Sequence, residues 1–143
     1  MSDSYDLSRF TTAHQRDYET ALHEIRQGRK RSHWIWYIFP QVRGLGKSST
    51  SQYYAIQSLE EARAFLNDPV LGGHLTEISA ALLTLPTNNA SDIFGWPDNL
   101  KLRSCMTLFS LVSAPDSVFH QVLDKFFGGQ HDGRTLQILH IRS

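Results

Sequence analysis

Cysteine is all but missing from this chain, with Cys105 standing alone among 143 residues. One thiol excludes an internal disulfide and a Cys-rich zinc site, and it suits a reducing compartment. A surplus of either charge is missing too. Fourteen basic residues balance fourteen acidic ones, so no global field draws the chain to nucleic acid or to an anionic membrane. There is no apolar run near the ~20 residues that span a bilayer, and no charged-then-apolar N-terminal signal. These absences point to a cytoplasmic protein with no membrane or nucleic-acid partner. The seven histidines never fall three or four apart, the spacing that would set two of them on one helix face as metal ligands. No metal and no cofactor is assigned. Period-two alternation, the mark of a half-buried strand, is also lacking.

What is present is helical periodicity. Tyr18, Ala21, Leu22 and Ile25 fall at i, i+3, i+4 and i+7, which predicts an amphipathic helix over residues 15–27, stopped by Gly28. Ser58 and Glu61 form a capping box for a short helix, and Asp68-Pro69 opens another that ends at Pro86. A turn of helix is expected over residues 92–95. From Leu100 to Val112 the apolar residues cover nearly the whole circumference, as in a central, buried helix. Pro115-Asp116 opens a further helix that Gly128-Gly129 stops. The expectation is a single all-α domain over residues 1–143, with about six to eight short and medium helices.

The stretch IWYIFPQVRGLGKSST, residues 35–50, looks like a strand running into a phosphate-binding loop. The spacing refutes it. A P-loop needs a glycine five positions before its Gly-Lys pair, and with Gly46-Lys47 that position holds Gln41. Pro40 also interrupts the supposed strand. Residues 32–39 read instead as a helix capped by Ser32, followed by a flexible glycine turn.

The strings Arg31-Ser32-His33-Trp34-x-Trp36-x-x-Phe39-Pro40-Gln41 and Lys101-Leu102-Arg103-Ser104-x-Met106-Thr107-Leu108-Phe109 resemble a bacterial family, domain of unknown function 1810. The resemblance extends over nearly the whole chain. It implies an all-α fold and brings no established activity. More faintly, Asp92-Ile93-Phe94-Gly95-Trp96, with Asn99-Leu100 and Met106, is similar to part of a helical superfamily linked to NAD and ADP-ribose metabolism, whose studied members cleave N-glycosidic bonds. That likeness implies a ligand class only.

Several residue types suit an anionic, planar ligand. Arg43 lies in a glycine turn, and Lys101 with Arg103 opens an otherwise apolar helix. Guanidinium groups grip phosphate through paired hydrogen bonds, and indoles stack on planar rings. The expected binding set is Trp34, Trp36, Gln41, Arg43, Gly44, Lys101, Arg103 and Thr107, with His33 as acid or base and Asp98, or Asp92, as a carboxylate that orients His33 or Arg103. Each residue also has a plainer reading. The tryptophans suit a core, His33 can satisfy a carbonyl, and Arg103 can pair with Asp92, Asp98 or Asp124. Arg29, Lys30 and Arg31 suit a solvated connector. The function that follows is a binder of, or small enzyme acting on, a phosphorylated nucleotide-like ligand such as an NAD or ADP-ribose derivative. The alternative is a helical protein-interaction module without catalysis. Oligomeric state is left open.

Overall fold

The computed structural model describes residues 5–141. Nine helices occur among them: α1 Ser8–Arg26, α2 Ile35–Ile38, α3 Ser49–Tyr54, α4 Leu59–Asn67, α5 Pro69–Leu83, α6 Ala90–Phe94, α7 Asp98–Ser110, α8 Val118–Phe127 and α9 Gly133–Ile138. No strand forms among the described residues, and the fold is all-α. None of these helices is long and apolar enough to cross a membrane.

The all-round apolar segment is indeed the centre. Leu102, Cys105, Met106, Leu108 and Phe109 of α7 are fully buried, and the helix packs against α4, α6, α8 and α9. Helix α5 bridges α1, α4 and α8. Local chemistry sets most helix starts. Ser58 Oγ accepts from the Glu61 N–H, Asp68 Oδ1 from Val70 and Leu71, Ser117 Oγ from His120, and Asp132 Oδ2 from Thr135, each satisfying a donor the first turn leaves open. Gly128, at φ +62°, closes α8 in the left-handed conformation that glycine adopts without strain.

The larger differences from the sequence reading concern α1, α2, α8 and α3. Helix α1 begins at Ser8 because Phe10, Ala13 and His14 extend its buried stripe a further two turns. Helix α2 is one turn long and is not capped by Ser32, whose hydroxyl donates instead to Glu24. Helix α8 starts after Ser117 rather than at Pro115. Helix α3, capped by Ser48, lies just after the glycine turn, where the sequence reading placed no helix.

Candidate functional site

Glu24 of α1 organises the segment that leads into α2. Its Oε1 accepts from the N–H groups of Arg31 and Ser32 and from Trp34 Nε1, and its Oε2 accepts from Ser32 Oγ at 2.6 Å. Burial opposes the ionised form, but these donors outweigh it and hold the carboxyl at about 2. The Arg-Ser-His-Trp string is thereby wrapped around one carboxylate. Trp34, buried against Phe39 and Phe94, is core. It is not available to stack on a ligand.

After α2 the chain leaves the core and returns to it at one point. The Arg43 N–H donates to Ile56 O and the Ile56 N–H to Gln41 O, an isolated parallel bridge that pinches off the intervening loop with α3. Within that loop Gly44 takes φ +89°, open to glycine, and packs on Ile138 of α9. Gly46 lies so close to Ser51 that a Cβ would sit 2.5 Å from the serine Oγ. The Gly-Leu-Gly string thus serves the loop's own turn and its close packing.

Between this loop and α2 lies a cleft of about 210 Å³, lined among others by Trp36, Gln41, Arg43, Gly44, Gln52 and Tyr54. Four of the expected binding residues, Trp36, Gln41, Arg43 and Gly44, therefore share one wall system. Arg43 Nε donates to the Gln57 carbonyl at 3.2 Å, and its two Nη atoms have no partner among the described residues. Lys101 of α7 does not line the cleft, but its ammonium sits 3.9 Å from the centroid of the Trp36 ring. It occupies one face of the indole, so a stacking ligand has only the other.

The remaining expected residues are placed elsewhere. His33 is exposed, does not line the cleft, and offers its carbonyl to Tyr37 Oη. Asp98 is held between two ammonium groups, Lys30 Nζ and Lys101 Nζ, each at 2.9 Å. Burial pushes its carboxyl up, but the bonds from Lys30 and Lys101 prevail and keep it below its ordinary value. It does not touch His33. Arg103 does not line the cleft; it donates to the carbonyls of Gln130 and His131 and makes no ion pair with Asp92, Asp98 or Asp124. Thr107 is buried, donates to Arg103 O and accepts from the Asp132 N–H, fixing the start of α9. Arg103 and Thr107 are thus parts of the α7–α9 joint.

Residues that sequence reasoning missed are Lys30, Gln52, Tyr54 and Gln57. Lys30 looked like part of a solvated connector, yet its side chain is 7% exposed and pairs with Asp98. Tyr54 and Gln52 belong to α3, whose six residues are too few for a periodic signal. The run of serines before it, with Ser48 as cap, was the available clue.

A second set of titratable groups lies between α1 and α5. His14 Nε2 donates to the Tyr37 carbonyl at 2.8 Å, because a carbonyl only accepts. Its Nδ1 therefore carries the lone pair and accepts from His74 Nδ1 at 2.9 Å. Burial dominates over the Tyr37 hydrogen bond and brings His14 down to about 4. Tyr18 stacks on His74 and donates to Glu77 Oε1. No group of three or more metal-ligating side chains occurs among the described residues.

A family model described as "protein of unknown function (DUF1810)" matches residues 4–139. The crystal structure of the conserved hypothetical protein Rv1873 from Mycobacterium tuberculosis superposes with a TM-score of 0.92 at 42% identity, covering 96% of this chain and 99% of that one. No curated protein matches the chain.

Proposed function

From the premise that this chain belongs to the DUF1810 family, whose description carries no activity, we propose that it binds a small anionic, ring-bearing molecule of phosphorylated, nucleotide-like chemistry in the cleft beside Trp36. The observation that carries this reading is Arg43, a guanidinium with free Nη ends, in a cleft whose lining contains two aromatic rings and no carboxylate. Guanidinium groups take phosphate or carboxylate through two parallel hydrogen bonds, and an open indole or phenol face takes a planar ring. Lys101 adds a second cation at the Trp36 ring. A volume of about 210 Å³ suits one ring, so an NAD or ADP-ribose derivative would place one end in the cleft and the rest outside.

The reading is one of binding. No lining residue is of a type that titrates near neutrality. Asp98 is committed to Lys30 and Lys101.

The test is a thermal-shift series of the purified protein with AMP, GMP, NAD, ADP-ribose, sugar phosphates and inorganic phosphate. A ligand at a hundredfold excess over its Kd stabilises the fold by about 2.7 kcal/mol. The expected result is a shift with a ring-bearing phosphate that disappears in Arg43→Ala. A shift that survives Arg43→Ala, or none with any of these compounds, overturns the proposal.

A second reading, a helical protein-interaction module, is favoured by Trp96 and Leu100, which are 77% and 47% exposed beside the start of α7. An exposed tryptophan is a common anchor of interfaces. Its test is capture of a partner by the wild type that is lost in Trp96→Ser.

A further inference from the structure

Two aromatic rings in one cleft suit a cation as readily as a neutral ring, because a π face carries negative charge. What surrounds the rings decides between the two. Tyr54 is packed against Phe10, Tyr37 and Tyr53, whereas no aromatic ring pairs with Trp36 among the described residues. The Trp36 indole is therefore the freer platform. The Lys101 ammonium already lies over it, 3.9 Å from the ring centroid, and Lys101 is not part of the cleft lining. Seen from the cleft, this charge stands behind the ring. Asp98 holds it there and is shared with Lys30, so the three side chains together carry a net positive charge. No carboxylate of the lining offsets it. Glu61, which accepts from the Gln57 N–H, is paired with Arg9.

Resting on the binding reading above, we infer that the ring taken by the cleft is uncharged and electron-rich, and that the site rejects cationic rings such as a pyridinium or an N-alkylated purine. A cation on one face of an indole draws π density toward itself and spends the attraction that would hold a second cation on the other face. A ring in van der Waals contact with the open face, roughly 3.5 Å from the indole, lies about 7 Å from the Lys101 ammonium. At that separation like charges repel enough to weaken binding about five- to tenfold in a partly exposed site. A neutral ring meets no such opposition. An oxidised nicotinamide thus stays outside, and of a dinucleotide the cleft takes the purine end.

Isothermal titration at neutral pH with pairs of probes that differ by one ring charge tests this inference. AMP is compared with 1-methyladenosine 5′-monophosphate, and reduced with oxidised nicotinamide mononucleotide, on wild type, Lys101→Met and Lys101→Arg. The members of a pair carry the same phosphate, so its attraction to Arg43 cancels in their ratio. The expected result is at least about fivefold tighter binding of the uncharged ring by the wild type. The ratio falls toward unity in Lys101→Met and is retained in Lys101→Arg, whose guanidinium keeps a charge on the indole. Equal affinity within a pair that binds, tighter binding of the cationic ring, or a ratio unmoved in Lys101→Met overturns the inference and leaves the binding reading standing. Binding of no probe overturns both. Circular dichroism and melting temperature of each variant show that a changed ratio is not a changed fold.

Discussion

The Lys101 ammonium lies 3.9 Å from the centroid of the Trp36 ring while it donates to Asp98 Oδ1 at 2.9 Å. One charge from the central helix therefore rests on the aromatic wall of the cleft. On the far oxygen of Asp98 sits Lys30, whose ammonium also lies 5.1 Å from the Trp34 ring centroid. Two lysines and one carboxylate thus tie α7 to both tryptophans of the sequence motif. The arrangement carries a net positive charge next to a cleft without carboxylates.

Asp98→Asn tests how firmly this tie holds. Lys30, with its side chain 7% exposed, would lose its counter-charge, and leaving a buried ammonium unpaired is expected to cost about 2–3 kcal/mol. Urea unfolding at neutral pH measures it. Because the folded-state carboxyl lies below its ordinary value of 3.8, the contribution is present above that pH and is lost as pH falls through the folded value. A change within 0.5 kcal/mol would show that Lys30 finds water instead.

Glu24→Gln should be costlier than a typical surface change. The carboxylate takes four hydrogen bonds across its two oxygens, whereas an amide offers one oxygen and places an NH₂ against donors. A loss of about 2 kcal/mol is expected, with Trp34 fluorescence shifted by the changed bond at Nε1. An unaltered melting temperature and emission spectrum would contradict this role.

His14 makes the fold sensitive to mild acid. The unfolded chain takes up its proton near the ordinary histidine value of 6.5, whereas the folded chain resists until about 4. The unfolded state therefore binds more protons in that window, and stability falls as pH drops through it, by roughly 3 kcal/mol. His14→Gln, which keeps a donor and an acceptor, should flatten this slope. Identical slopes between pH 6.5 and 4 in wild type and variant would remove His14 as the cause.

Two adjacent glycines in α5 give opposite expectations. A Cβ on Gly72 would overlap the carbonyl oxygen of Leu66, which closes the α4–α5 corner, while one on Gly73 meets nothing within 4 Å. Gly72→Ala should lose at least 2–3 kcal/mol, approximately the range for overpacking. Gly73→Ala should gain about 0.5–1 kcal/mol from helix propensity and a less free unfolded chain. Calorimetry on the pair checks both signs.

Much of the fold was legible in the sequence because its signals were local. Ser58, Asp68 and Gly128 mark helix ends by chemistry that acts within four residues, and the all-round apolar pattern of residues 100–112 identified the central helix. Ser32 misled because its hydroxyl had a better partner in Glu24, eight residues away. Helix α3 was hidden by its six-residue length. For the cleft, Trp36, Gln41, Arg43 and Gly44 are close in sequence and so were readable together. Lys101 was found by charge on an apolar helix. Arg103, two residues on, points away from it by the turn of that helix and belongs to α9. Lys30 escaped notice because burial of a lysine depends on a carboxylate supplied from another element, which sequence neighbours do not reveal.

The most direct measurement is of the three indole N–H resonances in a ¹H–¹⁵N spectrum, assigned by Trp→Phe variants, during titration with the phosphorylated ligand that gives the largest thermal shift. Trp34 is locked to Glu24, Trp36 lines the cleft and Trp96 is exposed on the surface. The proposed binding site requires the Trp36 resonance to move in a saturable way, with Trp34 and Trp96 nearly still and with no movement in Arg43→Ala. Movement of Trp96 with Trp36 unchanged, or a response that persists without Arg43, would place the ligand elsewhere and contradict the proposal.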